Sequence, residues 1–257
     1  MPNIKNKQFA QISLSSSCKA IILGSILGDG SLKLYKPYKN ARFWIRHSWI
    51  QHEYWLWKVQ QLSEIQTPKS NRVQLPMGYS GHRKLLFQSS AKEELTQIYN
   101  ITYKKNRICI RRTWLNHMTP LSLAIWWLDD GSIIGNGKRG VLCTDDFSEK
   151  ENKILQRYLA VVWGIQVQLG VINRKYHGKS KKYFRLYLNT TSLKSFFQII
   201  MPCTPVSSMI YKYCLLYKDA ELQQRWISEM IIAFPTFKKE IIETIYIRKK
   251  QLKYFRK

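Results

Sequence analysis

Acid is what this chain has least of. It carries 16 Asp+Glu against 42 Lys+Arg, a formal net charge of +26. A positive excess of that size points to a polyanionic partner, and for a basic protein nucleic acid is the first candidate. The excess is spread along the whole sequence rather than gathered in one tail. Long apolar runs are also missing: nothing approaches the ~18 residues of a membrane helix, and the stretch 20–27 is short and contains Gly24, so no membrane partner is expected. The cysteines (Cys18, Cys109, Cys143, Cys203, Cys214) are odd in number, and no two stand at a zinc-ligand spacing. They read as reduced, buried thiols of a non-secreted protein. The histidines (His47, His52, His82, His117, His177) form no ligand pair and read as surface or packing residues. Residues 1–17 contain a Ser cluster but no acid and no Arg. The missing Arg argues against an organelle-transit peptide, which an organelle-encoded protein would not need.

What is present suits a real core. The chain has 257 residues, 45% of them hydrophobic, with nine Trp and 15 Tyr. That length suggests one large domain or two halves sharing an interface, and the aromatics argue against a generic basic protein of ribosomal type. Abundant Lys, Ile, Asn and Tyr suit an AT-rich genome.

Two segments stand out: Ile22-Leu23-Gly24-Ser25-Ile26-Leu27-Gly28-Asp29-Gly30 and Leu123-Ala124-Ile125-Trp126-Trp127-Leu128-Asp129-Asp130-Gly131. Each is an apolar, helix-compatible run closing in Asp-Gly, and each opens about half of the chain. A carboxylate at the end of a buried helix, repeated once, puts two acids at one symmetric site.

Around these runs the pattern repeats. Residues 17–28 read as a helix capped by Ser17, followed by strands at 31–36 and 41–48. Residues 51–65 read as an amphipathic helix with its apolar side through Tyr54, Leu56, Trp57 and Leu62. A strand pair at 72–77 and 84–89 flanks a turn at 78–81, then come a short helix at 91–99 and a basic connector at 104–112. In the second half Thr119 caps a helix with Pro120 at its first position. Strands are expected at 133–134 and 140–144, and a capping box at 148–151 opens a helix to Trp163. Strands at 166–174 and 181–189 and a helix at 192–200 complete it. Beyond Lys218 the tail reads as helical, broken at Pro235. Each half is thus helix–strand–strand–helix–strand–strand–helix: residues 1–116, residues 117–217, and a basic extension at 218–257.

Alternation divides the strand faces. Arg42, Trp44, Arg46 and Ser48 share one side of their strand, opposite Ala41, Phe43, Ile45 and His47. Lys181, Tyr183, Arg185, Tyr187 and Asn189 oppose Phe184, Leu186 and Leu188. An ordinary solvated face is the alternative, but the charge excess favours a sheet lying in a major groove, where Arg reads guanine and Gln reads adenine. The expected contact set is Lys33, Arg42, Trp44, Arg46, Arg72, Gln74 and Lys84 in the first half. In the second it is Arg139, Gln168, Arg174, Lys181, Tyr183, Arg185 and Tyr187.

In these motifs the chain resembles the LAGLIDADG homing endonucleases, in their single-chain, double-motif branch encoded by organellar introns. The runs 23–30 and 119–131 resemble the two motifs. Val141-Leu142-Cys143-Thr144 with Phe147-Ser148, and Ser208-Met209-Ile210-Tyr211-Lys212, resemble stretches that follow the second. The resemblance implies an α+β fold of two pseudo-twofold-related αββαββα halves, motif helices packed at the interface and saddle-shaped antiparallel sheets for DNA. It implies Asp29 and Asp130 as metal-binding catalytic acids, with Gly28 and Asp129 beside them. Asp129 aligns as an interface or supporting residue. Mg²⁺ is the implied cofactor, with Mn²⁺ substituting. Lys212 and Lys105 are the implied basic residues, Lys104 and Arg107 being rivals of the latter, and Gln51 and Gln166 are further candidates to orient water. Gly24 and Gly28 make a smooth stripe that Ile125 and Asp129 of the other helix could fill.

The implied function is site-specific cleavage of both strands of a long duplex target, leaving 3′ overhangs and promoting intron mobility, by a monomer in a mitochondrion or chloroplast. The alternative is a maturase that binds group I intron RNA, with or without nuclease activity. A regulator on the same motif would lose an acid and append a helix-turn-helix, which the tail does not show.

Overall fold

A computed structural model describes residues 9, 11–76, 81–176 and 179–255. Parts of the expected strand at 72–77 and of its turn at 78–81, and His177, lie outside these. The chain forms two compact units, and the division falls between Asp129 and Asp130. The second motif helix therefore packs with the first unit, and its last residue opens the second.

The first unit runs α1 (Ser16–Ile26), β1 (Gly30–Lys33), β2 (Arg42–Ser48), α2 (His52–Gln61), β3 (Asn71–Gln74), β4 (Lys84–Gln88) and α3 (Glu93–Thr102). Next come a small hairpin of β5 (Tyr103–Lys104) and β6 (Arg107–Ile108), a turn of helix α4 (Arg112–Leu115), and α5 (Pro120–Asp130). Its main sheet is antiparallel with order β1-β2-β4-β3. The second unit continues with β7 (Gly131–Ile134), β8 (Arg139–Leu142), α6 (Glu149–Trp163), β9 (Gln168–Tyr176), β10 (Lys179–Leu188) and α7 (Thr190–Ile200). Its sheet has the matching order β7-β8-β10-β9. Helices α8 (Ala220–Ala233) and α9 (Lys238–Gln251) follow, separated at Pro235. They are tied back to their own unit: Trp226 donates its indole N–H to the Tyr213 carbonyl at 3.0 Å, and the Arg248 guanidinium donates to the Tyr211 and Cys214 carbonyls.

Local signals explain the helix starts. Ser15, not the expected Ser17, caps α1 by accepting from the Cys18 amide; the helix opens at Ser16, so Ser17 already lies in its first turn. Thr119 Oγ1 accepts from the Ser122 amide ahead of Pro120. Ser148 and Glu151 close a reciprocal capping box on α6, which ends at Gly164 in the left-handed conformation, φ 69°. Side-chain register follows strand alternation. Phe43, Ile45, Leu85 and Phe87 are buried on one face of the first sheet, and Leu142, Leu186 and Leu188 on one face of the second. Cys18 and Cys214 are buried, and burial pushes both thiols up to about 12, whereas Cys109, Cys143 and Cys203, expected to be buried too, are only half-buried.

Two further expectations needed correction. Leu56 is not on the buried side of α2. That helix buries Tyr54, Trp55, Lys58 and Val59 while Leu56 is 40% exposed. The buried stripe runs through a lysine, which a hydrophobicity pattern skips. The basic connector at 104–112 also has structure of its own: Lys105 and Asn106 have φ of 50° and 60°, as a two-residue hairpin turn between β5 and β6 requires.

Helices α1 and α5 are buried almost all round, and glycine sets how closely they approach. A Cβ at Gly24 would collide with the Ser122 carbonyl and meet Ile125 Cβ at 2.7 Å; one at Gly28 would meet Asp129 Cβ at 2.5 Å. Ile125 and Asp129 thus fill the space over the two glycines. Because backbone of one helix meets backbone of the other, no side chain can rotate away to relieve the clash. Gly24→Ala should cost about 1–3 kcal/mol in urea unfolding. A loss below 0.5 kcal/mol, on the order of a surface substitution, would show that the helices are not so closely held.

Candidate active site

The packing over Gly28 has an electrostatic consequence. It puts the Asp129 carboxylate in a fully buried position, and a buried charge must be paired and hydrogen-bonded. Lys58 supplies the pair: its ammonium donates to both Asp129 oxygens at 2.9 Å, and its own side chain is fully buried. The Tyr54 hydroxyl, one turn earlier on α2, donates to Asp129 Oδ1 at 2.9 Å. The Asp29 amide approaches Asp129 Oδ2 at 3.4 Å. The carboxylate therefore accepts from a lysine, a tyrosine and a backbone amide at once.

His47 joins this cluster to Asp29. It lies on the buried face of β2, at its end. Its Nε2 stands 3.3 Å from Lys58 Nζ and 4.0 Å from Asp129 Oδ1. Its Nδ1 stands 3.2 Å from Gln51 Oε1 and 3.5 Å from Asp29 Oδ2. The Asp29 side chain, unlike that of Asp129, is 36% exposed. A turn after α1, in which Gly28 N–H bonds the Ser25 carbonyl, carries Asp29 past the helix end to the edge of β1. Donor atoms of Asp29, His47 and Asp129 all lie within 4.8 Å of one another, a spacing that could hold a metal ion. Asp129, however, has both oxygens on Lys58. Asp29 is the exposed carboxylate of the three, and one or two carboxylates completed by water and phosphate are a donor set that suits Mg²⁺.

In the second unit Asp130 ends α5, and its carbonyl accepts from the Cys143 amide at 3.1 Å. Lys212 is 9% exposed, and its ammonium donates to the carbonyl of Gly131, the residue after Asp130, at 2.6 Å. Cys143 reports the surrounding charges. Burial raises its thiol most; Arg185 opposes this, while Asp130 and Asp145 add to it and Lys212 again opposes. Lys105 is exposed on its hairpin turn.

Register groups the expected contact residues. Lys33 faces Arg42 across β1–β2, Ser48 faces Lys84, and Gln74 faces Lys84. Arg46 and Arg72 both face Leu86. Lys33, Arg42, Trp44, Arg46, Arg72, Gln74 and Lys84 therefore share one face of the first sheet. In the second, Lys181 faces Arg174, Tyr187 faces both Gln168 and Val141, and Arg139 lies on the side of Val141, so these share a face with Tyr183 and Arg185. Two of them are already engaged: Arg185 makes a two-pronged bond to Asp145, and Arg174 lies 3.3 Å from the same carboxylate. The Arg185 hydrogen bond holds the Asp145 carboxyl below the usual carboxylate range.

Sequence reasoning missed Lys58, Tyr54 and the role of His47. The signal was there in Tyr54, Lys58 and Leu62, four apart on one helix face, with a lysine between two buried residues. Removing one partner strands the other. Lys58→Met should cost about 3–5 kcal/mol by denaturant unfolding, and adding Asp129→Asn should recover at least about half of it. A Lys58→Met loss below about 1 kcal/mol would mean that Asp129 has found another counter-charge.

The LAGLIDADG DNA endonuclease family matches residues 19–196. Protein RecA of Mycobacterium gastri is 30% identical over 203 residues, covering 74% of this chain and 45% of that protein. Cytochrome b mRNA maturase bI2 of Saccharomyces cerevisiae is 27% identical over 209 residues, covering 77% and 48%. The chain thus spans about half the length of these curated relatives. Among solved structures, the homing endonuclease I-WcaI bound to its DNA recognition sequence is similar with a TM-score of 0.66 at 20% identity, covering 85% of this chain and 96% of that one. At that identity the likeness shows the fold. The family match takes in more than half of the chain and both motif helices, so this chain belongs to the LAGLIDADG DNA endonuclease family.

Proposed function

We propose that this protein is a site-specific homing endonuclease that hydrolyses both strands of a long duplex target, leaves 3′ overhangs and so promotes intron mobility. The observation that carries the reading is the contrast between two neighbouring carboxylates. Asp129 is buried and neutralised by Lys58, while Asp29 is held beside it and exposed. A structural helix end has no use for that second acid. Carboxylates are unfavourable at a helix C-terminus, so Asp29 and Asp130 each call for a counter-charge there.

In this reading Asp29 and Asp130 hold divalent ions, Mg²⁺ or Mn²⁺. When bound, such an ion supplies Lewis-acid polarisation of phosphate oxygens. Gly28 and Asp129 shape the backbone beside Asp29 rather than binding the ion through a side chain. Lys212, fixed by the Gly131 carbonyl, offsets charge that develops near Asp130, and Lys105 is the corresponding candidate in the first half. The polar sheet faces bind the duplex, phosphates giving affinity and base edges specificity. The parts fall to residues 1–116, residues 117–217 and the extension at 218–257, in a monomer encoded and acting in an organelle.

A second reading has its own support: a maturase of cytochrome b mRNA is 27% identical over 209 residues. A basic sheet face can bind group I intron RNA as well. A splicing assay of the host intron with and without protein tests this reading separately.

The first reading predicts that the purified protein cuts its intronless host allele with Mg²⁺. Asp29→Asn and Asp130→Asn should each slow cutting by at least about 100-fold, the upper range for disturbing a metal site, with duplex binding retained. Unchanged cutting in both variants would overturn the assignment.

A further inference from the structure

One acid interrupts the basic face of the second sheet. Asp145 lies in the loop after β8, and its side chain is 21% exposed. Arg185 Nε donates to its Oδ1 and Nη2 to its Oδ2, both at 2.6 Å, while Arg174 Nη2 stands 3.3 Å from Oδ2. A carboxylate on a surface meant only for phosphate would weaken binding by repulsion. Here it is the centre of a built arrangement. Arg174 and Lys181 lie over the Tyr183 ring at 5.2 and 4.9 Å from its centroid. Gly170 faces Arg185 across the ladder, and a Cβ there would collide with the Tyr187 ring. The glycine thus lets Tyr187 lie flat next to Arg185.

We propose, resting on the DNA-binding reading above, that Asp145 is a specificity-determining positioning residue that presents Arg185 to a guanine in the second half of the target. A free arginine gives up rotamer entropy when it binds, so fixing it beforehand removes part of the cost of binding. Asp145 takes the Nε side of the guanidinium fork and one Nη2 proton. Nη1 donates no hydrogen bond among the described residues, and Nη1 with the other Nη2 proton is the donor pair that matches guanine O6 and N7. The charge also selects the ligand: a carboxylate next to the guanidinium repels a phosphate but not a neutral base edge. Cys143, two residues before Asp145, bonds the Asp130 carbonyl. The base read is therefore near the phosphate that Asp130 serves.

The test is selection of a randomised duplex library by the full chain without divalent metal, comparing wild type with Asp145→Asn and Arg185→Ala. Wild type should enrich one motif with a guanine favoured about 10-fold or more at one pair. Both variants should lose that preference to within about 2-fold, at the same base pair, and keep the rest of the motif. Asp145→Asn should bind unrelated duplex as well as wild type or better, since it removes a negative charge. Thermal unfolding separates loss of fold from loss of preference, and Asp145→Glu, which keeps the charge, should retain more of the preference than Asp145→Asn. The proposal is overturned if the two variants act at different pairs, if all positions change alike, or if the motif is untouched. A wild-type chain that enriches no motif overturns the endonuclease reading as well, which tells the two failures apart.

Discussion

A lysine and an aspartate, both closed off from solvent, hold the first unit's centre together. Asp129 is buried because its Cβ packs over Gly28, and that contact follows from the close approach of α1 and α5. Once the helices meet so closely, the carboxylate has to find a cation inside the protein. Lys58 reaches it from α2, with Tyr54 alongside. The ion pair gives little net stability over an apolar pair of the same size, since desolvation offsets most of the attraction. Geometrically it is a meeting point: Lys58 of α2, His47 of β2, Asp129 of α5 and the Asp29 amide after α1 all converge there.

Asp29 sits beside that meeting point. Its amide approaches Asp129, its carboxylate lies near His47, and His47 in turn contacts Lys58 and Gln51. The exposed acid is thus surrounded by groups whose positions are set by a buried network. A site held in this way needs little reorganisation when charge develops in a reaction. The second unit solves the same problem differently. There Lys212 bonds the Gly131 carbonyl directly after Asp130, so a backbone contact positions the cation near the acid.

Both sheets follow one plan, with apolar side chains against the helices and cations outward. The outward faces differ in one respect. Arg185 and Arg174 share Asp145, whereas Lys33 and Arg42 lie near the rings of Trp44 and Tyr38, 5.4 and 5.8 Å from their centroids. A carboxylate fixes a guanidinium in direction; an aromatic ring holds a cation near without fixing its donors. Lys33 and Arg42 are therefore held without a fixed donor direction, while Arg185 has one.

The repeated αββαββα order, the capping of α5 and α6 and the face on which each strand residue lies were legible from local rules. Ser148 with Glu151, Pro120 after Thr119, and the alternation through Arg42–Ser48 act over a few residues and depend on nothing distant. The two Asp-Gly ends could likewise be read from the motifs. The hairpin at Lys105 and Asn106 could not: Asn106 suits positive φ, but Lys105 does not, and only the pairing of β5 with β6 holds it there. Nor could Lys58. A lysine is ordinarily solvated, and only an aspartate 71 positions away, brought over a glycine by helix packing, makes burying it tolerable. Sequence by itself determined which residues carry charge and which face each strand turns outward. Tertiary structure alone decided which charges neutralise each other, because the cost of burying one depends on partners that distant segments supply.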